Sequence, residues 1–328
     1  MYHRPHLHLP ARHLNFQPRY LGLAYPGRHP ATWSKPKPKP TGPSIGSIMS
    51  ISTFTLVLPG LNLRVNSTTD LARDELSSFP AFKTWLHTLQ NSLARQSNAE
   101  HEFHDDPYVL RGIDIQAVDR FGGGRLGFVK LKADVSNGRG EKLPGSVFLR
   151  GGSVGMLLIL QPDDIPSSQE KGKQAILTIQ PRIPAGSLAF AEIPAGMLDD
   201  SGTFAGGAAK EIEEETGLQV QHSELIDMTS LASELTEGSS ANGETLQKAT
   251  YPSAGGSDEF IPLFLCQKRM PRKDIEELQG KLTGLRDHGE KITLKVVPLE
   301  DLWKEGFRDG KTLAAWALYK GLKEAGKI

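Results

Sequence analysis

A segment of 23 residues near the middle of the chain, GMLDDSGTFAGGAAKEIEEETGL, constrains the fold more than any other feature. Its first part is rich in Gly, Asp and Ser and predicts a loop, and its second part predicts a helix that Gly217 ends. On this helix Glu211 lies one turn from both Glu214 and Glu215, so the three carboxylates share a face. Like charges at this spacing destabilise an isolated helix by about 0.2–0.5 kcal/mol per pair. A bound divalent cation offsets that cost, and the alternative is an acidic face in solvent.

The charge of the chain is unevenly distributed. Residues 1–50 contain seven Lys or Arg and no acid, so the remaining 31 bases face all 38 acids, a net charge of −7. A surface of this sign gives no basis for non-specific nucleic-acid binding. No apolar run approaches the roughly 18 residues that a transmembrane helix needs. We therefore expect neither a nucleic-acid nor a membrane partner.

Composition divides the chain into three regions. Residues 1–48 are rich in Pro and His and predict a disordered tail. The lack of acids in this tail fits a mitochondrial targeting segment, but the prolines oppose the amphipathic helix that such a segment needs, and translation from Met49 is the alternative. The expectation is a cytoplasmic protein, or a mitochondrial one if the tail is a genuine signal. Residues 49–145 form an N-terminal arm with a β-hairpin, and residues 146–328 form the domain that holds the acidic helix.

Hydrophobic periodicity predicts an α+β domain with a mixed sheet, preceded by a small helix-and-strand arm. The predicted strands cover residues 54–58, 113–118, 126–135, 147–149, 154–160, 175–179, 261–266 and 293–297. The predicted helices cover residues 79–94, 203–216, 272–282 and 311–325, and residues 163–173 and 232–250 are predicted as loops. In the first helix, Phe82, Trp85 and Leu86 indicate core or dimer contacts rather than a platform for a base. The only cysteine, Cys266, excludes an intramolecular disulfide and is expected to be a buried thiol.

The acidic segment resembles the Nudix box, whose form is Gly-x₅-Glu-x₇-Arg-Glu-(apolar)-x-Glu-Glu-x-Gly-(apolar). The positions in register are Gly196, Glu211, Ile212, Glu214, Glu215, Gly217 and Leu218. Two positions depart from the box, since Gly202 replaces its first Glu and Lys210 replaces its Arg. Asp199 or Asp200 can pair with Lys210 instead. The departures concern the rigidity of the loop and helix more than metal binding.

Further segments resemble the ADP-sugar diphosphatase branch of the Nudix hydrolases, particularly the plant-type enzymes that act on ADP-glucose and ADP-ribose. These segments are residues 118–121, 180–186, 191–200, 251–259 and 278–290. The resemblance implies the Nudix fold, in which helices enclose a mixed β-sheet. It also implies a homodimer in which the N-terminal region packs across the interface.

The resemblance implies a set of site residues. Glu211, Glu214 and Glu215 would hold Mg²⁺, or Mn²⁺ as a substitute, with the backbone carbonyl of Ala195 as a further ligand. Glu214 is also expected to be catalytic, as is Glu259, which matches a loop carboxylate that ligates metal or acts as a base. The alternatives for this carboxylate are an exposed loop acid, or Asp258 if the register slips by one.

Substrate-binding residues are implied at Arg182, Glu192 and Gly196. Arginine suits phosphate or sugar recognition because its donors form a fixed fork, and a surface salt bridge is the alternative. Glu192 either joins the metal site or points away from it. Arg286 and His288 are candidates to reach the active site of a partner subunit.

The resemblance, together with the glutamate face, implies Mg²⁺-dependent hydrolysis of a nucleoside diphosphate sugar such as ADP-ribose or ADP-glucose, giving AMP and a sugar phosphate. A second interpretation keeps the chemistry and changes the substrate to a dinucleotide such as NADH or to a dinucleoside polyphosphate. A third is a catalytically silent Nudix domain that senses a nucleotide or scaffolds a partner. The changes at Gly202 and Lys210 favour the third interpretation, and retention of the glutamate face opposes it.

Overall fold

The structure is a computed structural model that describes residues 52–58, 61–197, 204–236, 244–285 and 291–328. The predictions for the tail at residues 1–48 and for Asp199, Asp200 and Gly202 lie outside the described residues. The same holds for Arg286 and His288. From Ser52 onward the described residues belong to one compact unit, within which two sheets are formed.

The first sheet has five strands in the order β1-β2-β3-β4-β5. The strands are β1 Ser52–Leu58, β2 Leu61–Ser67, β3 Val109–Arg120, β4 Leu126–Ser136 and β5 Ser146–Leu149. Strands β2 and β3 are parallel, and the other pairs are antiparallel. The hairpin between β3 and β4 turns at Gly123 and Gly124, which have φ values of 74° and 79° that glycine adopts at little cost. The predicted arm at residues 49–145 thus contains four of the five strands, and β5 lies just beyond its predicted end.

Two helices, α1 (Arg73–Ser78) and α2 (Pro80–Ala94), accompany the first sheet. Phe82 and Leu86 are buried in the same core as the strands, and Trp85 packs against it. The aromatic stripe of this helix is thus a core contact, as its spacing predicts. Helix α2 begins with Pro80 at its first position, where a missing N–H costs nothing.

The second sheet has eight strands and is mixed. Its strands are β6 Ser153–Pro162, β7 Gln174–Arg182, β8 Ser187–Glu192, β9 Ala195–Met197, β10 Leu225–Asp227, β11 Leu263–Met270, β12 Leu282–Thr283 and β13 Ile292–Pro298. The main order is β10-β11-β6-β7-β13-β12, with β8 paired to β7 and β9 paired to β6. Strands β6 and β11 are parallel, and β6 is buried along its whole length. A continuous apolar strand covered on both faces accounts for that burial.

Helices cover both faces of the second sheet. On one face, α3 (Phe204–Thr216) and α5 (Arg272–Glu277) share a core with the even-numbered residues of β6. On the other face, α4 (Met228–Thr236), α6 (Leu302–Glu305) and α7 (Gly310–Glu324) share a core with its odd-numbered residues. This arrangement confirms the predicted α+β class with a mixed sheet between helices.

Several predicted boundaries differ from the structure, and three of these differences have an identifiable cause or a shifted range. The first residues of the predicted loop at 232–250 belong to helix α4, whose Ser- and Thr-rich sequence does not predict a helix. The Asp227 carboxylate stabilises the start of this helix by accepting the Ser230 N–H at 2.9 Å. The predicted helix at 272–282 ends at Glu277, because Gly280 has a φ of 76° and turns the chain into β12. The strand predicted at 261–266 runs over residues 263–270 instead.

Candidate active site

Gly196 lies directly beneath the carboxylate of Glu211. Strand β9 carries Gly196, which pairs with Val154 of β6, and helix α3 lies over this strand pair. A Cβ atom on Gly196 would lie 1.8 Å from Cδ of Glu211 and 1.9 Å from its Oε1, far inside van der Waals contact. Only a residue without a side chain leaves space for the glutamate at this position.

Glu215 lies one turn further along the helix and contacts the residue before Gly196. Its Oε2 accepts the backbone N–H of Ala195 at 3.0 Å, and the residue is only 2% exposed. Its backbone carbonyl accepts the hydroxyl of Thr283 at 2.5 Å, which fixes the last turn of the helix. Two carboxylates from successive turns therefore contact two consecutive residues of β9.

Glu214 and Glu213 lie on different sides of the helix and differ in their exposure to solvent. Glu214 is partly buried and lies 3.7 Å from Lys210, four residues earlier. Glu213 is exposed, and its carboxylate accepts a bond from the side chain of Gln219. Burial along the helix thus follows the face predicted from the spacing, with Glu213 off that face.

The residues around Gly196 suit a hard divalent cation. Carboxylate oxygens are the ligands that Mg²⁺ prefers, and the absent side chain of Gly196 opens the space where the Glu211 carboxylate lies. Over the part of the chain that the structure describes, no three His, Cys, Asp or Glu side chains are already grouped as a metal site. The donor set fits the ion in chemistry, and a metal site would need the three carboxylates to come closer together.

Glu259 lies close to the same edge of the sheet. Its Oε1 accepts the hydroxyl of Ser153 at 3.0 Å and lies 3.0 Å from Nη1 of Arg150. Ser153 is the first residue of β6 and pairs with Met197, the neighbour of Gly196. The side chain of Glu259 is only 15% exposed, so it is a paired carboxylate rather than a free loop acid.

Asp258 has a different environment from its neighbour. Its carboxylate accepts the backbone N–H of Arg150 at 2.8 Å and that of Gly151 at 3.2 Å. Burial raises the pKa of Asp258, and these backbone bonds oppose the rise without cancelling it. Asp258 therefore links its own segment to the segment that carries Arg150 and Gly151.

Arg182 and the buried Glu192 form an ion-pair cluster with the start of α7. The Glu192 carboxylate is 3% exposed and accepts Nε of Arg182 at 2.5 Å, and Nζ of Lys311 bonds its other oxygen. Lys311 also lies 3.0 Å from Asp309, whose carboxylate caps the helix. Both oxygens of Glu192 are thus engaged by cations, so metal binding by Glu192 would require this cluster to open. Arg182 is bound through Nε, and its terminal nitrogens carry the remaining donors.

A cavity of about 560 Å³ lies on another side of the segment that carries Glu259. It is lined by residues of α2, by Tyr108 and Tyr251, and by Asp258 and Phe260, the two neighbours of Glu259. The described residues of the acidic segment do not line it. This cavity is therefore separate from the cluster around Gly196.

Sequence reasoning missed three residues that organise the site, Arg150, Ser153 and Lys311. Lys311 carries a signal, because a lysine in the first turn of a helix opposes the helix dipole and indicates a carboxylate partner nearby. Arg150 and Ser153 lie more than a hundred residues from Glu259, and no local pattern marks that contact.

Comparison with known proteins identifies a domain whose matched residues include the acidic helix. The sequence model of the NUDIX domain matches residues 164–316. Nudix hydrolase 14, chloroplastic, of Arabidopsis thaliana is 36% identical over 258 residues, which are 78% of this chain and 74% of that relative. A crystal structure described as an ADP compounds hydrolase aligns with 67% of this chain and 99% of that chain, with a TM-score of 0.41 and 16% identity.

The chain belongs to the Nudix hydrolase family, and it is an enzyme of the class that acts on phosphorus-containing anhydrides. None of the described helices is long and apolar enough to cross a membrane. The chloroplast is named for the Arabidopsis relative, and the cytoplasmic or mitochondrial location of this chain stays a prediction.

Proposed function

We propose that the enzyme hydrolyses the pyrophosphate bond of ADP-sugars such as ADP-ribose and ADP-glucose, with Mg²⁺ as its cofactor. The placement of the Glu211 carboxylate on Gly196, beside the buried Glu215, carries this proposal. Carboxylate oxygens grouped on one face of a helix are the ligands that Mg²⁺ prefers in proteins. The ADP-sugar substrate rests on the five sequence segments that resemble that branch.

In this proposal Glu211, Glu214 and Glu215 hold the metal, with the carbonyl of Ala195 as a further ligand. Bound Mg²⁺ would neutralise the pyrophosphate and make the attacking water more acidic. Glu214 lies 3.7 Å from Lys210 and would exchange this partner for the metal.

Glu259 is proposed to accept the proton of the water that attacks phosphorus. The new P–O bond forms as the bridging P–O bond breaks, and the products are AMP and a sugar phosphate. A general base must lie within hydrogen-bond reach of the water, directly or through one intervening water. Glu259 is joined through Ser153 to β6, the strand that pairs with β9, and this contact supports the proposed role.

Arg182 is proposed to contact the phosphate or sugar of the substrate with its terminal nitrogens. The salt bridge to Glu192 uses Nε and fixes the direction of the guanidinium group. Glu192 then contributes to substrate binding by orienting Arg182, and Gly196 contributes by leaving room for the Glu211 carboxylate. We also propose a homodimer, on the resemblance alone.

The experiment is a substrate panel of ADP-ribose, ADP-glucose, NADH and diadenosine polyphosphate, each assayed with Mg²⁺ and with chelator. We expect metal-dependent release of AMP from the two ADP-sugars. Turnover of NADH or the polyphosphate instead would support the dinucleotide alternative. Binding without turnover of any substrate would contradict the proposal and favour a silent domain, in which Gly202 and Lys210 become the residues to restore.

A further inference from the structure

We propose that Arg150 is a positioning residue for Glu259, through which the first sheet takes part in catalysis. The inference rests on the proposed function only in giving Glu259 its role. Arg150 directly follows β5, the last strand of the first sheet, whereas Glu259 belongs to the segment that leads into β11 of the second.

The segment before Glu259 is bonded along its length to the end of β5. The backbone N–H of Phe148 donates to the carbonyl of Gly256 at 2.8 Å, and the hydroxyl of Ser257 donates to the carbonyl of Phe148 at 3.3 Å. Phe148 and Ser257 also form a parallel bridge. The first sheet therefore sets the path of the chain up to the residue before Asp258.

Arg150 then contacts both acids that follow. Its backbone N–H donates to Oδ1 of Asp258 at 2.8 Å, while its Nη1 lies 3.0 Å from Oε1 of Glu259. One residue thus fixes the backbone at Asp258 and the side chain at Glu259. Two anchors on consecutive residues restrict both the position and the direction of the glutamate.

The bonds to Glu259 converge on one of its oxygens. Arg150 and Ser153 both contact Oε1, and no residue that the structure describes bonds Oε2. An arrangement in which one oxygen is anchored and the other makes no bond to the described residues suits a group that must accept a proton. The pair is largely shielded, with side-chain exposures of 29% for Arg150 and 15% for Glu259, so solvent weakens it little.

A further feature of Arg150 argues against a purely stabilising role. Its Nε is buried and has no hydrogen-bond acceptor among the described residues. A buried donor without an acceptor is unfavourable for folding, and native structures keep few of them. Arg150 is therefore placed where its Nη1 reaches Glu259, even though this placement does not satisfy the whole guanidinium group.

The test is a double-mutant cycle with the full chain, Mg²⁺ and ADP-ribose. Arg150→Met and Arg150→Lys are made in the wild-type and Glu259→Gln backgrounds, with Arg139→Met as the control. Arg139 is an exposed arginine of the same sheet region that pairs with Asp106. We expect kcat to fall by roughly 10- to 100-fold in Arg150→Met with KM unchanged. Arg150→Lys should recover part of the loss, and Arg139→Met should match the wild type.

In the Glu259→Gln background, Arg150→Met should cause no further loss, because the group it positions is already gone. An equal loss in both backgrounds, or an unchanged kcat in a folded Arg150→Met protein, would overturn the inference. If Arg150→Met does not fold, the Arg150→Lys variant takes its place in the cycle. A purely structural role of Arg150 predicts that Arg150→Lys lowers kcat by the same factor in the wild-type and Glu259→Gln backgrounds. Full activity of Glu259→Gln would refute the proposed role of Glu259, which is a separate failure.

Discussion

The carboxylate of Glu211 occupies the space that a side chain at position 196 would need. A Cβ on Gly196 would lie 1.8 Å from Cδ of Glu211. Helix α3 therefore packs closely against strand β9 at this point, because Gly196 has no side chain to keep Glu211 away. The position of the proposed metal-binding face depends on this contact.

The first prediction concerns Gly196→Ala. The added methyl group must displace Glu211, so we expect kcat/KM to fall by about 100-fold or more while the protein still folds. Overpacking should lower the free energy of unfolding by about 1–3 kcal/mol. Gly321→Ala in α7 is the matched control, because a Cβ there meets open space. Steady-state kinetics and urea unfolding measure both effects, and normal activity of Gly196→Ala would show that Glu211 does not act at this position.

The second prediction concerns Lys311, which shares the buried Glu192 carboxylate with Arg182. Lys311→Met leaves that carboxylate with one cation, and breaking a buried pair costs about 3–5 kcal/mol. Because Arg182 remains, we expect a loss near the lower end of this range. Lys304→Met is the control, since its pair with Asp301 is exposed and is worth at most about 1 kcal/mol. Equal unfolding free energies for the two variants would contradict the cluster.

The third prediction concerns the pH dependence of stability through Glu170. Burial raises its pKa, but bonds from Lys173, Lys323 and Tyr319 outweigh burial and hold the pKa at about 2, below the ordinary 4.5. A depressed folded-state pKa stabilises the protein above the unfolded value, and this contribution is lost as the pH falls from about 4.5 toward 2. Glu170→Gln should therefore be less stable than wild type at pH 7, and the difference should shrink over that window. Denaturant unfolding across the window measures it, and a constant difference would refute the assignment.

The fourth prediction concerns the thiol of Cys266. Burial raises its pKa to about 11, and the charge of Glu224 adds to the rise. The thiolate reacts and the thiol does not, so a rise from 9 to about 11 lowers the reactive fraction at pH 8 by roughly 100-fold. We expect a disulfide reagent to label Cys266 at least that much more slowly in the native protein than in urea. Similar rates in the two states would mean that the strand around Cys266 opens readily.

The sequence predicts best what local spacing determines. The common face of Glu211 and Glu215 follows from the helical period alone, and it does not depend on the rest of the fold. Likewise, the buried strand β6 follows from its continuous apolar run. Helix α4 escapes prediction because its Ser and Thr residues favour loops in isolation, and tertiary packing of Met228 overrides that preference.

Contacts between distant segments are the part that spacing does not reveal. The bond between Arg150 and Glu259 joins residues more than a hundred positions apart, and no periodicity encodes it. The sequence alone does not distinguish an exposed loop glutamate from a paired one such as Glu259. The predicted roles of Glu192 and Arg182 likewise depend on Lys311, which only the fold brings to them.

The most direct test of the account measures divalent-cation binding to the acidic helix. Mn²⁺ binding is followed by electron paramagnetic resonance in the wild type, Glu211→Gln and Glu213→Gln, together with Mg²⁺-dependent release of AMP from ADP-ribose. Glu213 is the control because it lies on the same helix but faces solvent. We predict that Glu211→Gln loses both Mn²⁺ binding and turnover while Glu213→Gln keeps both. Retained binding and turnover in Glu211→Gln would contradict the metal-binding face.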